Sequence, residues 1–418
     1  MPAAPLSRLM RTWRTRVFAA TWLSYVGFYF CRKPFSIAKS AMGAEAGFDA
    51  TTLGAIGAAY LISYSIGQFL AAGLGTRLGP RLNLLLGMGL SILVSLGFGL
   101  TLSLPLLVGL MVTNGIAQAT GWSGNVGTMA AWFRKAERGK VMGAWATNFT
   151  VGSLVSTYFA SWVFGAYGWR ATFFSGSLVL GAVVVFFVFN QANRPEDAGL
   201  PALEDREAND APQALGGLDR DALVNIALIG CFYFFAKLIR YAVWSWVPFF
   251  LARNYGLKGD DAGYYSTLFD LCGIPGVMVT GWLSDRFFKS KRAGISFLMV
   301  VALTAACGLL LAVGGAGAGV FALCLGLVGF TLYGPDALMT GAAAMDVGNR
   351  RGAVLATGLI SGIGSLGPVV QELVIGKLYD AKGGDLGPVF LLLFGSAAMA
   401  AVFCGVLVLR ARAGKSSV

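Results

Sequence analysis

Apolar and small residues run through this chain in long blocks, separated by short polar or basic turns. The blocks cover residues 17–38, 52–75, 82–101, 105–132, 140–165, 169–190, 222–252, 262–283, 293–314, 318–343, 352–376 and 387–409. An apolar run of about 18 residues or more is long enough to cross a hydrocarbon layer as a helix. The pattern therefore predicts an all-α membrane protein with twelve transmembrane helices, and tilt accommodates the blocks that exceed about twenty residues. A single long polar stretch interrupts it. Residues 191–220 hold Arg194-Pro195-Glu196-Asp197, Glu204-Asp205-Arg206-Glu207 and Gly216-Gly217, a composition suited to a linker. It divides the chain into a six-helix half at 1–190 and another at 221–418.

The first block contains an anomaly. Tyr29-Phe30-Cys31-Arg32-Lys33-Pro34-Phe35 puts two adjacent cations after an apolar run that starts at Val17. At 1.5 Å per residue that run is roughly 22 Å long, past the middle of a hydrocarbon core of about 30 Å. A cation at that depth costs at least about 2.5–3.5 kcal/mol, so it is expected to face a cavity or a counter-charge.

Composition agrees with the pattern: 56% of the residues are hydrophobic and 12% charged. There is no histidine, which excludes a histidine proton relay, a histidine metal site and a Ser-His-Asp triad. The six cysteines lie singly in apolar segments and are expected to be buried thiols, with no disulfide framework. The net charge of +12 does not point to nucleic acid, because the cations are sorted by side. Arg8, Arg11, Arg14, Arg16, Arg77, Arg81, Arg134, Arg138, Arg286, Arg350, Arg410 and most of the others fall on one side, against only Lys39, Arg170, Arg253, Lys258, Lys377 and Lys382 on the other. The positive-inside rule then predicts that both termini and the linker are cytoplasmic. The basic start imitates a signal peptide, but the run that follows is long and carries Arg32 and Lys33, so it is expected to remain as the first span.

Arg32, Lys33, Lys237 and Arg240 are the cations left inside the spans, and Asp270 and Asp336 are acids there, which leaves a net charge of about +2 if all six face one cavity. Arg32 and Arg240 lie about 210 residues apart. Arg77 and Arg286 are spaced similarly, as are Arg138-Gly139 and Arg351-Gly352, and this is the spacing of two parallel repeats. In such a repeat Arg32 and Arg240 are expected to face each other across the pseudo-axis. This is a binding-site geometry, in which an arginine keeps its charge and presents a planar fork to two oxygens.

Several stretches carry a resemblance to a known family. They are Tyr29-Phe30-Cys31-Arg32-Lys33-Pro34-Phe35, Asn114-Gly115-Ile116-Ala117-Gln118 with Gly121-Trp122, Trp132-Phe133 with Glu137-Arg138-Gly139, and Arg194-Pro195-Glu196-Asp197-Ala198-Gly199-Leu200-Pro201. In the second half they are Arg240-Tyr241 with Trp246, Gly273-Ile274-Pro275-Gly276, Gly281-Trp282-Leu283-Ser284-Asp285-Arg286 and Tyr333-Gly334-Pro335. Together they resemble the organophosphate:phosphate antiporters of the major facilitator superfamily, a family that includes glycerol-3-phosphate and hexose-6-phosphate exchangers and a related sugar-phosphate sensor.

The resemblance implies a major facilitator fold in which Arg32 and Arg240 hold the phosphoryl group. It implies that Lys33 pairs with Asp270, as a structural or gating pair or as a ligand contact, and that Tyr25, Tyr29, Tyr64 and Tyr333 line the pathway or simply pack. Lys237, one turn before Arg240, is a candidate ligand contact. Asp336 either acts in the site or serves the helix near Pro335, and Glu372 reads as an interfacial or gating residue. The chain departs from the glycerol-phosphate exchangers at Trp145-Ala146-Thr147-Asn148-Phe149, where they have a histidine, and at Gln68, where they have a lysine. Lys237 stands for a tyrosine and Thr76 for an acid. These changes bear on the organic part of the substrate more than on phosphate recognition.

Gly362-Ile363-Gly364-Ser365-Leu366-Gly367 spells a dinucleotide fingerprint but lies in an apolar helix without a preceding strand, where glycines serve helix packing. The pairs Gly139/Gly143 and Gly358/Gly362 are expected to do the same. No nucleophile–base pair and no metal cluster is evident. The expected protein is a non-enzymatic inner-membrane antiporter that exchanges an organophosphate for inorganic phosphate by alternating access. It needs no cofactor or metal, binds no nucleic acid, and works as a monomer in the lipid bilayer. Loop charges such as Asp285-Arg286 and Arg350-Arg351 would close the cytoplasmic side in one state. A sugar-phosphate sensor that signals to a membrane histidine kinase is the alternative.

Overall fold

The computed structural model describes residues 8–202, 220–287, 292–339 and 349–415, and among these the chain is helical with no strand. The helices are α1 (Arg8–Phe30), α2 (Pro34–Ala46), α3 (Ala50–Leu100), α4 (Leu104–Trp132), α5 (Lys135–Trp145), α6 (Thr147–Tyr167) and α7 (Trp169–Asn190). After the polar stretch come α8 (Arg220–Asn254), α9 (Gly259–Phe287), α10 (Arg292–Val313), α11 (Ala318–Ala337), α12 (Asn349–Ala381) and α13 (Gly387–Arg412). Eleven stretches within the described residues are long and apolar enough to cross a membrane, two of them within α3, which kinks at Gly79 with φ of 78°. All six cysteines are free thiols; Cys31, Cys307, Cys324 and Cys404 are buried, and Cys231 and Cys272 are half-buried.

The first predicted span is not one helix. Its axis breaks at residues 31–33, between α1 and α2. Pro34 is the cause: its ring disfavours helical backbone at Lys33, and it has no N–H to continue the ladder. Asn114 Nδ2 donates to the carbonyl of Cys31 at 3.2 Å, so a backbone acceptor at the break is satisfied from α4. The two cations therefore sit in a turn and not on a regular helix face.

The chain forms two compact units. Unit 1 is Met1–Met42 with Ala59–Ala208, and unit 2 is Gly43–Ala58 with Asn209–Val418. In unit 1, α1 packs against α4, α6 and α7. In unit 2, α9 packs on α11, α8 on α12, and α10 on α11 and α13. Small residues set these approaches. A Cβ at Gly176 would lie 2.1 Å from the Phe30 carbonyl, at Gly276 2.1 Å from that of Phe330, at Gly329 2.1 Å from that of Phe269, and at Gly367 2.2 Å from that of Phe234. Backbones this close leave no room for a methyl group, as in other membrane helix pairs held by small residues. Gly364 also packs, against the Tyr233 ring. A Cβ at Gly143, Gly358 or Gly362 by contrast would meet nothing within 4 Å among the described residues, while Gly139 lies outside the described side chains.

The start of the polar stretch is built into unit 1. Ala192 and Leu200 are buried beside Trp132, whose indole N–H donates to the Ala192 carbonyl at 2.8 Å. Residues 203–219, the greater part of the predicted linker, lie outside the described residues. Near the α4–α5 turn, the Glu137 carboxylate accepts from the Arg14 guanidinium and from the Arg134 backbone N–H at 3.3 Å. The Arg14 hydrogen bond is the main cause holding the Glu137 carboxyl below its ordinary 4.5. A lowered carboxyl pKa contributes stability above the unfolded value, and that stability is lost as the pH falls through the folded one. Glu137→Gln is therefore expected to unfold at a lower temperature than wild type at neutral pH. The difference should shrink below about pH 4, as measured by scanning fluorimetry across pH.

In unit 2 the first turns of α3 are held by α12. One Asp380 carboxylate accepts from the backbone N–H of Ala50 at 3.1 Å and of Thr51 at 2.6 Å, and from the Thr51 hydroxyl at 2.6 Å. It caps the helix from another element, with a negative charge at the positive end of the helix dipole. Gly54 and Gly376 bring the backbones together; their Cβ atoms would lie 2.3 Å from the Glu372 carbonyl and 2.5 Å from the Ala50 carbonyl. Asp380→Ala is expected to cost about 1–2 kcal/mol of stability, read as a lowered unfolding midpoint of the purified protein.

Candidate functional site

Arg32 extends from the α1–α2 break into a box of aromatic rings in unit 1. Its guanidinium carbon lies 4.9 Å from the Tyr29 ring centroid, 5.3 Å from Tyr64 and 5.7 Å from Tyr60, within the range of cation–π attraction. Tyr60 and Tyr64 stack on each other at 5.8 Å, because residues four apart share one helix face. Arg32 Nε donates to Gln118 Oε1 at 2.8 Å, and the same oxygen accepts from the Tyr60 hydroxyl at 3.2 Å. Gln118 in turn donates to Asn114 Oδ1 at 3.1 Å, and Asn114 reaches the Cys31 carbonyl. The chain of hydrogen bonds runs from the guanidinium back to the turn that carries it. Gly115 permits this, since a Cβ there would lie 2.0 Å from Ser63 Oγ and 2.5 Å from the Tyr60 carbonyl.

Among the described residues no carboxylate pairs with Arg32, and its two terminal nitrogens have no hydrogen-bond partner. An arginine oriented through Nε alone offers its outer fork to an oxoanion.

The unit 2 arginine is held differently. Arg240, on α8, lies between the rings of Trp244 at 4.6 Å and Tyr333 at 4.8 Å. The Trp244 indole N–H donates to Asp270 Oδ1 at 2.9 Å, and the Tyr333 hydroxyl donates to the same oxygen. Gly273 lets the Tyr333 ring lie against α9, where a Cβ would be 2.6 Å from the ring. Arg240 also pairs with Asp336, Nη1 to Oδ2 at 2.7 Å. Lys237 is one turn before Arg240, half-buried, with its ammonium 4.4 Å from the Tyr233 ring centroid.

The remaining candidates occupy several settings. Tyr25 is one turn before Tyr29 in an aromatic cluster, 5.8 Å from both Trp122 and Trp145 and 6.0 Å from Tyr29. Lys33 is buried at the break and belongs to unit 1; Asp270, in unit 2, serves Trp244 and Tyr333. Glu372 is not at an exposed interface: it is 3% exposed, accepts from the Ser245 hydroxyl, and fills the space left by Gly57. The Asp285 side chain and those of Arg350 and Arg351 lie outside the described ones. Sequence reasoning missed Tyr60, Gln118 and Trp244 as site residues. A signal was present for Gln118, since Asn114 and Gln118 put two amides four residues apart in an apolar span.

No group of three or more potential metal ligands occurs among the described residues. Two units of membrane-length helices, each with an arginine boxed by aromatic rings, define a polytopic membrane protein. The profile of the Major Facilitator Superfamily matches residues 17–371, and the chain belongs to that superfamily. It is 30% identical over 418 residues to the "Glycerol-3-phosphate transporter" of Bacillus subtilis (strain 168), covering 93% of this chain and 91% of that one. It is 27% identical to the "Probable hexose phosphate transport protein" of Chlamydia pneumoniae, covering 89% and 86%. With the "Membrane sensor protein UhpC" of Escherichia coli (strain K12) it shares 26% identity over 88% and 87%. Among solved structures, a bacterial homolog of the human lysosomal transporter Spinster, in an inward-facing and occupied conformation, matches with a TM-score of 0.73. Identity there is 13%, over 97% of this chain and 99% of that one, a likeness of fold.

Gln118→Leu keeps the volume of the side chain but removes the only side-chain hydrogen bond of Arg32 among the described residues. It is expected to cost about 1–2 kcal/mol of stability, read as a lowered unfolding midpoint of the purified protein, because the buried amide network loses its centre.

Proposed function

We propose that this protein exchanges an organophosphate, a sugar phosphate in the first instance, for inorganic phosphate by alternating access. The observation that carries the reading is the outer fork of Arg32, boxed by Tyr29, Tyr60 and Tyr64 and without a carboxylate among the described residues. A second boxed arginine, Arg240, lies in the other unit, at the repeat spacing expected from the sequence. The curated relatives named as phosphate-ester transporters support the same substrate class.

In this reading Arg32 and Arg240 hold the phosphoryl group from the two halves, with Tyr29, Tyr64 and Tyr333 around it and Tyr25 behind. Lys33 and Asp270 form a charge pair that reports the loaded state. The linker joins halves 1–190 and 221–418, and it lies with both termini in the cytoplasm, as the placement of basic residues supports. The protein works as a monomer in the inner membrane. Exchange follows from charge. An empty site with a net charge of about +2 is costly to take away from water, and a bound dianion offsets it. Reorientation is therefore favoured with phosphate or its ester aboard.

A second reading is a sugar-phosphate sensor, favoured by the similarity to the Escherichia coli sensor protein. It would bind the ester and signal to a membrane histidine kinase. The test is uptake of labelled phosphate into phosphate-loaded proteoliposomes, with glucose 6-phosphate, glycerol 3-phosphate and phosphoglycerate as competitors. Exchange inhibited by at least one ester is expected; ligand binding without any counterflow would establish the sensor instead. Arg32→Lys and Arg240→Lys are each expected to lower exchange at least about 100-fold in folded protein, because an ammonium cannot replace the planar fork. Normal exchange in both variants would remove the phosphoryl-binding assignment.

A further inference from the structure

The two arginines are not equivalent. Arg32 shows an outer fork with no carboxylate among the described residues, whereas Arg240 already carries an anion supplied by the protein. Asp336, on α11, meets Arg240 at 2.7 Å, and the two residues are 7% and 9% exposed. The guanidinium is clamped between Trp244 and Tyr333, and each of these rings is anchored on Asp270. It is therefore fixed in place, and any ligand exchange at this site falls to the carboxylate. A receiving cation is near. Lys237 lies one turn before Arg240, makes no ion pair among the described residues, and is within electrostatic reach of both Asp336 and Arg240.

We propose that Asp336 is a specificity-determining residue that acts as a resident anion. Its carboxylate occupies Arg240 in the empty site, yields to an incoming phosphoryl group and passes to Lys237. This rests on the reading of Arg240 as a phosphoryl ligand. The resident group sets a threshold for the ligand. A carboxylate carries one negative charge, and a phosphate monoester carries about −1.5 to −2 with three acceptor oxygens. A phosphoryl dianion outcompetes Asp336 for the guanidinium, whereas a monocarboxylate gains nothing over the group it must displace. Discrimination then comes from a penalty on the wrong ligand as well as from attraction to the right one. The exchange of partners also keeps the carboxylate paired, so the loaded site does not bury a lone charge.

The test uses purified full-length protein and inorganic phosphate, with acetate as the monoanion, and reads the unfolding midpoint and the half-saturating anion concentration. Asp336→Asn should lower the midpoint in anion-free buffer, because Arg240 loses its counter-charge. Phosphate should restore it, with half-saturation about ten-fold lower than in wild type, and acetate should stabilise this variant but not wild type. Lys237→Gln should raise the half-saturating phosphate concentration, since the displaced carboxylate loses its second partner. The Arg240→Gln/Asp336→Asn double variant should lose the gained response.

If Asp336→Asn responds to phosphate and acetate as wild type does, the resident-anion assignment is overturned, whatever wild-type exchange shows. If Asp336→Asn does not fold even in phosphate, Lys237→Gln decides, and an unchanged half-saturation there overturns it. Wild type with no phosphate response, beside a D336N protein that gains one, upholds the resident anion and overturns the exchange reading.

Discussion

Everything distinctive in unit 1 depends on how a guanidinium is kept at span depth. Arg32 is not neutralised by a carboxylate among the described residues. The quadrupoles of three tyrosine rings and one amide oxygen hold it instead, each contributing modestly in isolation. Among the described residues the arrangement leaves the outer fork without a carboxylate, which is expensive for a structural residue. The break between α1 and α2 is part of the same device. It places the cations in a turn, and the carbonyl of Cys31 anchors the amides that hold the guanidinium.

Close backbone approach sets the positions of both arginines. Gly115 brings α4 onto the Tyr60 turn of α3, and Gly273 seats Tyr333 on α9. A side chain at Gly115 would collide with Ser63 and the Tyr60 backbone, and one at Gly273 with the Tyr333 ring, so these neighbours would have to move. Helices in lipid gain little from burying apolar side chains against one another, and they rely on such contacts for their registry. The same logic explains why α3 begins on α12, with Asp380 as its cap and with Gly54 and Gly376 at the crossing.

The two sites share a plan but differ in electrostatics. Each has an arginine in an aromatic box, oriented by hydrogen bonds that begin on a neighbouring helix. In one, a neutral amide holds Nε; in the other, Asp336 meets the fork and Asp270 holds the surrounding rings. Repeated halves give two copies of a scaffold, and single side chains then assign each copy its task. The fully buried and semi-buried charges of unit 2 form one network, so their individual contributions are coupled and not additive.

The sequence by itself determined the class and the number of spans, because the length of an apolar run is set directly by the thickness of the hydrocarbon layer. It also singled out Arg32, Arg240, Lys237, Asp270 and Asp336, since an ionisable residue inside such a run stands out against its neighbours. It showed Pro34 but read 17–38 as one helix, because hydropathy averages over a turn of three residues. Which partners each charge takes was decided only by the tertiary structure. Tyr60, Gln118 and Trp244 resemble many other residues in apolar helices, and nothing in their local pattern shows which face meets a guanidinium. That depends on crossings at Gly115 and Gly273, between segments tens of residues apart. The packing also buries Glu372, expected as an interfacial or gating residue, against Gly57, and among the described residues it leaves Gly143, Gly358 and Gly362 without the contacts that their spacing suggests. Spacing along a helix fixes a face, and only the neighbouring helix determines what that face meets.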